Sequence, residues 1–226
     1  MKKILVMSVM ALGLVMISPP AHAVIPGMGI EIGAGLEHTS RDWKRAGFKG
    51  ESTTLGFFVE PTVELMEGLD VYLKLGMARI EAKSTGVVFD GGMDFGWGLG
   101  ARYIMPMNGL GGRGRGIGEA LKVGVGFEYI SLSSDHKAKH GHPAGPIDKK
   151  GWKLSLFASE DMGMAVPYMG LRYSDMKLEV ARRKYDADRR FGIFLGADIP
   201  MDFANINFEV GLLDETSFKI GASFVF

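Results

Sequence analysis

Alternation at period two runs through most of the chain, and its clearest instance ends it. Phe218, Ile220, Ala222, Phe224 and Phe226 form an apolar row, while Ser217, Lys219, Gly221, Ser223 and Val225 form a small, mostly polar one. Successive side chains of a strand point to opposite faces, so a strand written this way separates an apolar medium from a wetter one. Nine earlier segments repeat the pattern. Ile30, Ile32, Ala34 and Leu36 oppose Glu31, Gly33, Gly35 and Glu37; Leu55, Phe57, Val59 and Val63 oppose Gly56, Phe58, Glu60 and Glu64. Leu69, Val71, Leu73, Leu75 and Met77 oppose Tyr72, Lys74, Gly76 and Ala78, and the row from Met93 to Met105 opposes Asp94, three glycines, Arg102 and Ile104. Leu121 to Tyr129 oppose Lys122, Gly124, Gly126 and Glu128, and Trp152, Leu154, Leu156 and Ala158 oppose Lys153, Ser155 and Phe157. Met169, Leu171 and Tyr173 oppose Tyr168, Gly170 and Arg172; Phe191 to Ile199 oppose Gly192, Phe194, Gly196 and Asp198; Ile206 to Leu212 oppose Asn207, Glu209 and Gly211. The pattern predicts ten strands.

The connections are of two kinds. Charged stretches at His38–Lys49, Lys83–Gly91, Ser133–Lys150 and Asp175–Arg190 read as loops, and they alternate with short turns near Glu67-Gly68, Asp161–Gly163 and Pro200–Ala204. Long loops on one side and short turns on the other, with an even strand count, describe an all-β, transmembrane, antiparallel up-and-down β-barrel. Asn108–Gly118 is long for a short-turn position and Asp214–Thr216 short for a loop, so eight strands is the alternative count. A soluble sandwich would bury its apolar rows; here every row is continuous and carries large residues, against rows of glycine and single charges. Tyr103, Tyr129, Trp152 and Tyr173 near strand ends suit the two interfacial girdles of a membrane barrel.

The N-terminus adds a destination. Met1-Lys2-Lys3, an apolar run from Ile4 to about Ile17, and Ala21-His22-Ala23 make a Sec signal peptide over residues 1–23, leaving a barrel domain over 24–226. Past this signal no apolar run reaches the ~20 residues of a helical span. The chain has no Cys and no net charge, so no disulfide framework, lipid-anchored Cys or nucleic-acid partner is expected.

The terminal strand, apolar at Phe218, Ile220 and Phe224 and ending on Phe226, resembles the last strand of bacterial outer-membrane β-barrels. There, such a strand serves as an assembly signal. The resemblance is to the small, porin-like or opacity-type proteins of the Gram-negative cell envelope. It implies residence in the outer membrane, insertion by the barrel-assembly machinery, and contact with membrane lipid and lipopolysaccharide. The inward rows then bring Glu31, Glu37, Glu60, Asp94, Glu128, Asp198 and Glu209 into one lumen with Lys74, Arg102, Lys122, Lys153, Arg172 and Lys219. In a barrel this narrow, opposed charges reach one another, and unpaired buried ions cost several kcal/mol each. A charge-paired, narrow or plugged lumen is the expectation, with a thin passive channel for small solutes as the alternative.

Other chemistry is thinner. Arg41, Lys44, Arg45, Arg182, Arg183, Arg189 and Arg190 fall in outer stretches, where their side chains could meet lipopolysaccharide phosphates. His136, His140 and His142 sit close enough in sequence to ligate Zn or Cu, but among lysines and prolines; no metal or cofactor is expected. Gly112–Gly118 carries the letters of a dinucleotide loop without the strand–helix context that binds phosphate. A rim-located protease or lipid-modifying hydrolase would have to draw on Asp186 and Asp188 with Asp135 and His136, or on His38 and Ser40. No surrounding motif supports either set, and the expectation is a non-enzymatic barrel acting through membrane anchoring and outer-loop contacts.

Overall fold

A computed structural model describes residues 29–46, 48–84, 87–106, 121–136, 145–180 and 182–225. The signal segment, the 112–118 glycine run, His140, His142 and Phe226 lie outside them. Eleven strands follow one another: β1 Ile30–Arg45, β2 Phe48–Met66, β3 Leu69–Ser84, β4 Val87–Pro106, β5 Leu121–His136, β6 Gly145–Glu160, β7 Val166–Val180, β8 Arg183–Ala187, β9 Phe191–Pro200, β10 Asn205–Leu212 and β11 Thr216–Val225. Every pairing is antiparallel, and all strands but β8 form a ring of ten that β1 and β11 close, from Glu31↔Val225 to Ser40↔Thr216. Both described chain ends therefore lie at one end of the barrel, together with the turns after Met66, Glu160 and Pro200. In a bacterial barrel that is the periplasmic end.

Around this ring the outward rows are lipid-like. Phe95, Leu99, Phe127, Leu154, Leu156, Leu171, Leu195 and Phe218 are all exposed. Trp97 packs on Tyr129, and Phe127, Trp152, Tyr173 and Phe191 follow one another in ring-to-ring contact, forming an aromatic band over β4–β9. A closed barrel leaves no strand edge unpaired, which is what a hydrocarbon environment demands of β-structure. Apolar belt, aromatic band and charged lumen together make this an outer-membrane β-barrel.

The strands are of unequal length. β9, β10 and β11 have 10, 8 and 10 residues, close to the ~9–11 of a bilayer crossing, whereas β1 to β7 have 15 to 20 and continue beyond it. In that continuation β8 fills the gap above β9–β11. It pairs with β7 from Lys177↔Asp186 to Val180↔Arg183, and with β1 at Trp43↔Ala187 and Lys44↔Asp186. The membrane segment is thus a ten-stranded ring, and the outer projection is a collar of eight: β1 to β7 and β8. Register shifts between Arg79 and Glu81, and between Gly91 and Gly96, fall near the base of the collar. Bulges of this kind bend and twist strands, as a change of ring size requires.

The four stretches read from sequence as charged loops are corrected here: they are mainly strand. His38–Arg45 continues β1, Val87–Gly91 opens β4, β5 reaches His136 with β6 starting at Gly145, and Asp175–Val180 continues β7 into β8. The reason lies in the side chains. Outside the bilayer the two rows exchange polarity, so Met176, Leu178 and Val180 of β7 point inward and are buried, between the exposed or half-buried Asp175, Lys177 and Glu179. Ala78, Ile80 and Ala82 of β3 do likewise between Arg79, Glu81 and Lys83. The collar is built as a water-soluble barrel is, apolar inside and charged outside.

Candidate functional site

Because the inward rows carry glycines and single charges among a few rings, charges from different strands meet across the lumen. Lys74 on β3 sits 2.6 Å from Glu37 on β1, 3.3 Å from Glu128 on β5 and 3.6 Å from Glu60 on β2. Lys219 on β11 lies 4.0 Å from Glu37 and 3.9 Å from Glu209, which Arg172 on β7 meets at 2.5 Å. Arg172 reaches Glu215 at 3.3 Å, Lys153 on β6 reaches the same carboxylate at 2.7 Å, and Arg41 closes the series at 3.0 Å from Glu215 and 2.9 Å from Asp214. One connected network of five bases and six acids crosses the barrel.

Its upper end is dry. Arg41, Asp214 and Glu215 have no side-chain exposure at all. Asp214 and Glu215 belong to the outer turn of the β10–β11 hairpin, where Leu213 takes a left-handed φ of 80° and the two acids turn into the lumen. Ser174 Oγ donates to Asp214 at 2.9 Å and accepts from Arg41 Nη1 at 2.9 Å. Glu215 lies in the turn, outside the spanning strands. Burial opposes its ionisation, but Lys153 and Arg41, with Lys149 and Arg172, hold its carboxyl well below the usual carboxylate range.

Above the network the lumen turns apolar. Trp43, Ile80, Ala82, Ile130, Leu132, Ile147, Met176, Leu178, Val180 and Ala187 pack in one cluster with Phe89 and Tyr185 against it. Trp43 Nε1–H donates to Ser52 Oγ at 2.8 Å, satisfying its polar edge. Lys149 is buried beneath this cluster, donating to Thr39 at 3.0 Å and Thr54 at 3.2 Å. Below the network the opposite holds. A cavity of about 500 Å³ is lined from Glu37, Lys153 and Arg172 down to Glu31, Arg102, Lys122 and Asp198 at the periplasmic ends of their strands. Inward glycines leave room for rings there: a Cβ on Gly100 would strike Tyr72, and one on Gly124 would strike Phe157.

The lumen residues expected from sequence divide accordingly. Glu37, Glu60, Lys74, Glu128, Lys153, Arg172, Glu209 and Lys219 join the network. Arg102 pairs instead with Asp70 at 2.9 Å, and Glu31, Lys122 and Asp198 line the cavity with no ion pair among the described residues. Asp94 stands by the β4–β5 bulge and accepts from the backbone N–H of Asp135 at 2.8 Å. Arg41, expected at the outer surface, lies inside the barrel. That was readable, since Arg41 continues the inward series Glu37, Thr39. Nothing in sequence marked Asp214 and Glu215, which sit in an ordinary-looking turn.

Lys44, Arg45, Arg182, Arg183, Arg189 and Arg190 are exposed on the collar or at its base. Lys44 lies 3.5 Å from Asp188, Arg190 3.3 Å from Asp175, and the Arg45 guanidinium 6.0 Å from the Tyr185 ring centre. His136 is buried, edge-on to Phe89, and among the described residues no group of three metal-ligating side chains forms. Ser40 Oγ donates to Glu51 at 2.6 Å on the outer face. Phe218 is exposed on the lipid side and Ile220 and Phe224 half so.

No family model matches the chain, and no curated protein matches it. Solved structures similar to it include an autotransporter translocator domain, an outer-membrane channel and a porin. The translocator domain of the autotransporter NalP from Neisseria meningitidis is 13% identical over 97% of this chain and 95% of that one, with a TM-score of 0.47. An outer-membrane channel from Pseudomonas putida F1 is 11% identical over 93% and 100%, TM-score 0.44. The KdgM porin is 12% identical over 87% and 99%, TM-score 0.35.

Proposed function

We propose that this protein is a non-enzymatic outer-membrane barrel whose lumen is closed toward the cell exterior, and that it acts through the eight-stranded collar it holds above the bilayer. The observation that supports the reading is the sequence of layers along the barrel axis. An ionic network whose upper end is fully buried is followed by a packed apolar cluster, so a hydrated ion moving outward meets first charges already neutralised and then a region offering it no polar partner. Transfer of an isolated ion into such surroundings is strongly unfavourable.

The collar's outer face, with Lys44, Arg45, Arg182, Arg183, Arg189 and Arg190, stands where the phosphates of lipopolysaccharide lie. Arg and Lys there would make charge-assisted contacts to them. The test of closure is osmotic swelling of liposomes carrying the refolded protein. Sugars and amino acids should enter no faster than into protein-free liposomes; swelling that falls off with solute size would make the protein a passive channel instead.

A further inference from the structure

Among the described residues, one buried charge of the barrel has no counter-ion. Every other buried Lys, Arg, Asp or Glu, from Glu37 on β1 to Glu215 in the β10–β11 turn, stands in an ion pair. Lys149 on β6 is 3% exposed and stands in none. Its ammonium donates to Thr39 Oγ1 on β1 at 3.0 Å and to Thr54 Oγ1 on β2 at 3.2 Å, two neutral acceptors that leave its charge unbalanced. A charge held inside a protein without an opposite one is unfavourable, and the cost falls on the structure that encloses it.

Lys149 lies in the collar, opposed to Leu132 on β5 and to Leu178 on β7, where the ionic network gives way to the apolar cluster. At that seam it borders a cavity of about 10 Å³, room for about one water. Around the cavity β2, β5 and β7 present uncharged side chains: Thr54, Phe58, Ile130, Leu132 and Met176. The charges that face Lys149 are Glu37 and Arg41 on β1, Lys153 on its own strand and Glu215 in the turn. Both acids are already engaged, Glu37 by Lys74 and Glu215 by Lys153 and Arg41. Burial, opposed by Glu215 but aided by Arg41 and Lys153, brings the pKa of Lys149 down from the ordinary 10.5 to about 8.

Resting on a lumen closed by the collar, we propose that Lys149 makes that closure sensitive to pH: its ammonium, buried with no counter-ion, loosens the seam between network and cluster, and release of the proton tightens it. A base that binds its proton more weakly folded than unfolded costs stability in full below the folded value. The cost disappears as the pH rises toward the unfolded value. The window therefore runs from about pH 8 to 10.5. Within it, any opening that lets water reach Lys149 takes up a proton, so alkaline surroundings hold the collar shut and neutral ones hold it less firmly. Closure itself is read from liposome swelling and its pH dependence from unfolding, so the two are refuted by different results.

The experiment is urea unfolding of the refolded barrel at pH 7 and 9.5, with Lys149→Met and Lys149→Arg beside the unaltered protein. In the unaltered barrel the unfolding constant should fall about tenfold or more between the two pH values. Met has no proton to release and Arg keeps its own throughout, so in both variants that fall should be lost. A side chain that served only as packing would shift the constant equally at both pH values. The unaltered profile carries the test even where a variant does not fold. An unfolding constant that is the same at both pH values in the unaltered barrel, or that falls as steeply in Lys149→Met, would overturn the proposal.

Discussion

Glu215 receives Lys153, Arg172 and Arg41 while wholly buried. Removing one member of a buried ionic group leaves the others uncompensated, typically at about 3–5 kcal/mol. Glu215→Gln should therefore lower the urea midpoint of the refolded barrel markedly, followed by tryptophan fluorescence or heat-modifiable gel mobility. The sign of its pH dependence follows from a folded-state affinity for protons below the unfolded one. Such a carboxylate contributes its full stabilisation above the ordinary value near 4.5 and loses it as the pH falls through the lower folded value. The wild-type midpoint should hold between pH 8 and 5 and drop under strongly acid conditions, and Glu215→Gln should flatten that drop. An unchanged acid profile in the variant would remove Glu215 from the account.

At the scale of elements, β8 decides what the outer projection is. Without its pairing to both β7 and β1 the long strands would end in separate hairpins; with it they close as a ring of eight. Lys44 and Asp186 are directly opposed across β1 and β8, and the chain has no cysteine of its own. The double variant Lys44→Cys/Asp186→Cys should form an intramolecular disulfide under mild oxidation, visible as a gel shift reversed by reductant. A pair that stays reduced would mean that β8 does not close the collar.

The same scale shows what was legible in sequence. The ten membrane strands were, because their outward rows are apolar from end to end, as in Phe218, Ile220, Ala222 and Phe224 of β11. The collar was not, although its alternation continues in step. In β5 the outward series Phe127, Tyr129 turns to Ser131, Ser133 and Asp135, while the inward Gly126, Glu128 turns to Ile130 and Leu132. The alternation survives the bilayer boundary but its polarity reverses, so a search for outward apolar rows ends there and the remainder reads as charged loop. The lumen charges on strands were legible for the same reason as the rows. Asp214 and Glu215 were not, since only the way the β10–β11 hairpin tucks beneath β8 brings its turn inside the barrel.

For the whole molecule, the layers that the described residues form along the axis give it a direction: a polar cavity toward the periplasmic end, charge pairs through the middle, an apolar packed cluster outside. Ile80, Ile147 and Met176 fill the collar at almost no exposure, and cutting such side chains to alanine costs about 2–5 kcal/mol each in a packed interior. Single-channel recording in planar bilayers tests this closure most directly, with folded protein confirmed by heat-modifiable mobility. The unaltered barrel should be silent across the accessible voltages. Its Ile147→Ala/Met176→Ala variant, if folded, should admit ions in brief, irregular events. Stable, discrete conductance steps from the unaltered protein would contradict the account and show a continuous water path through the collar.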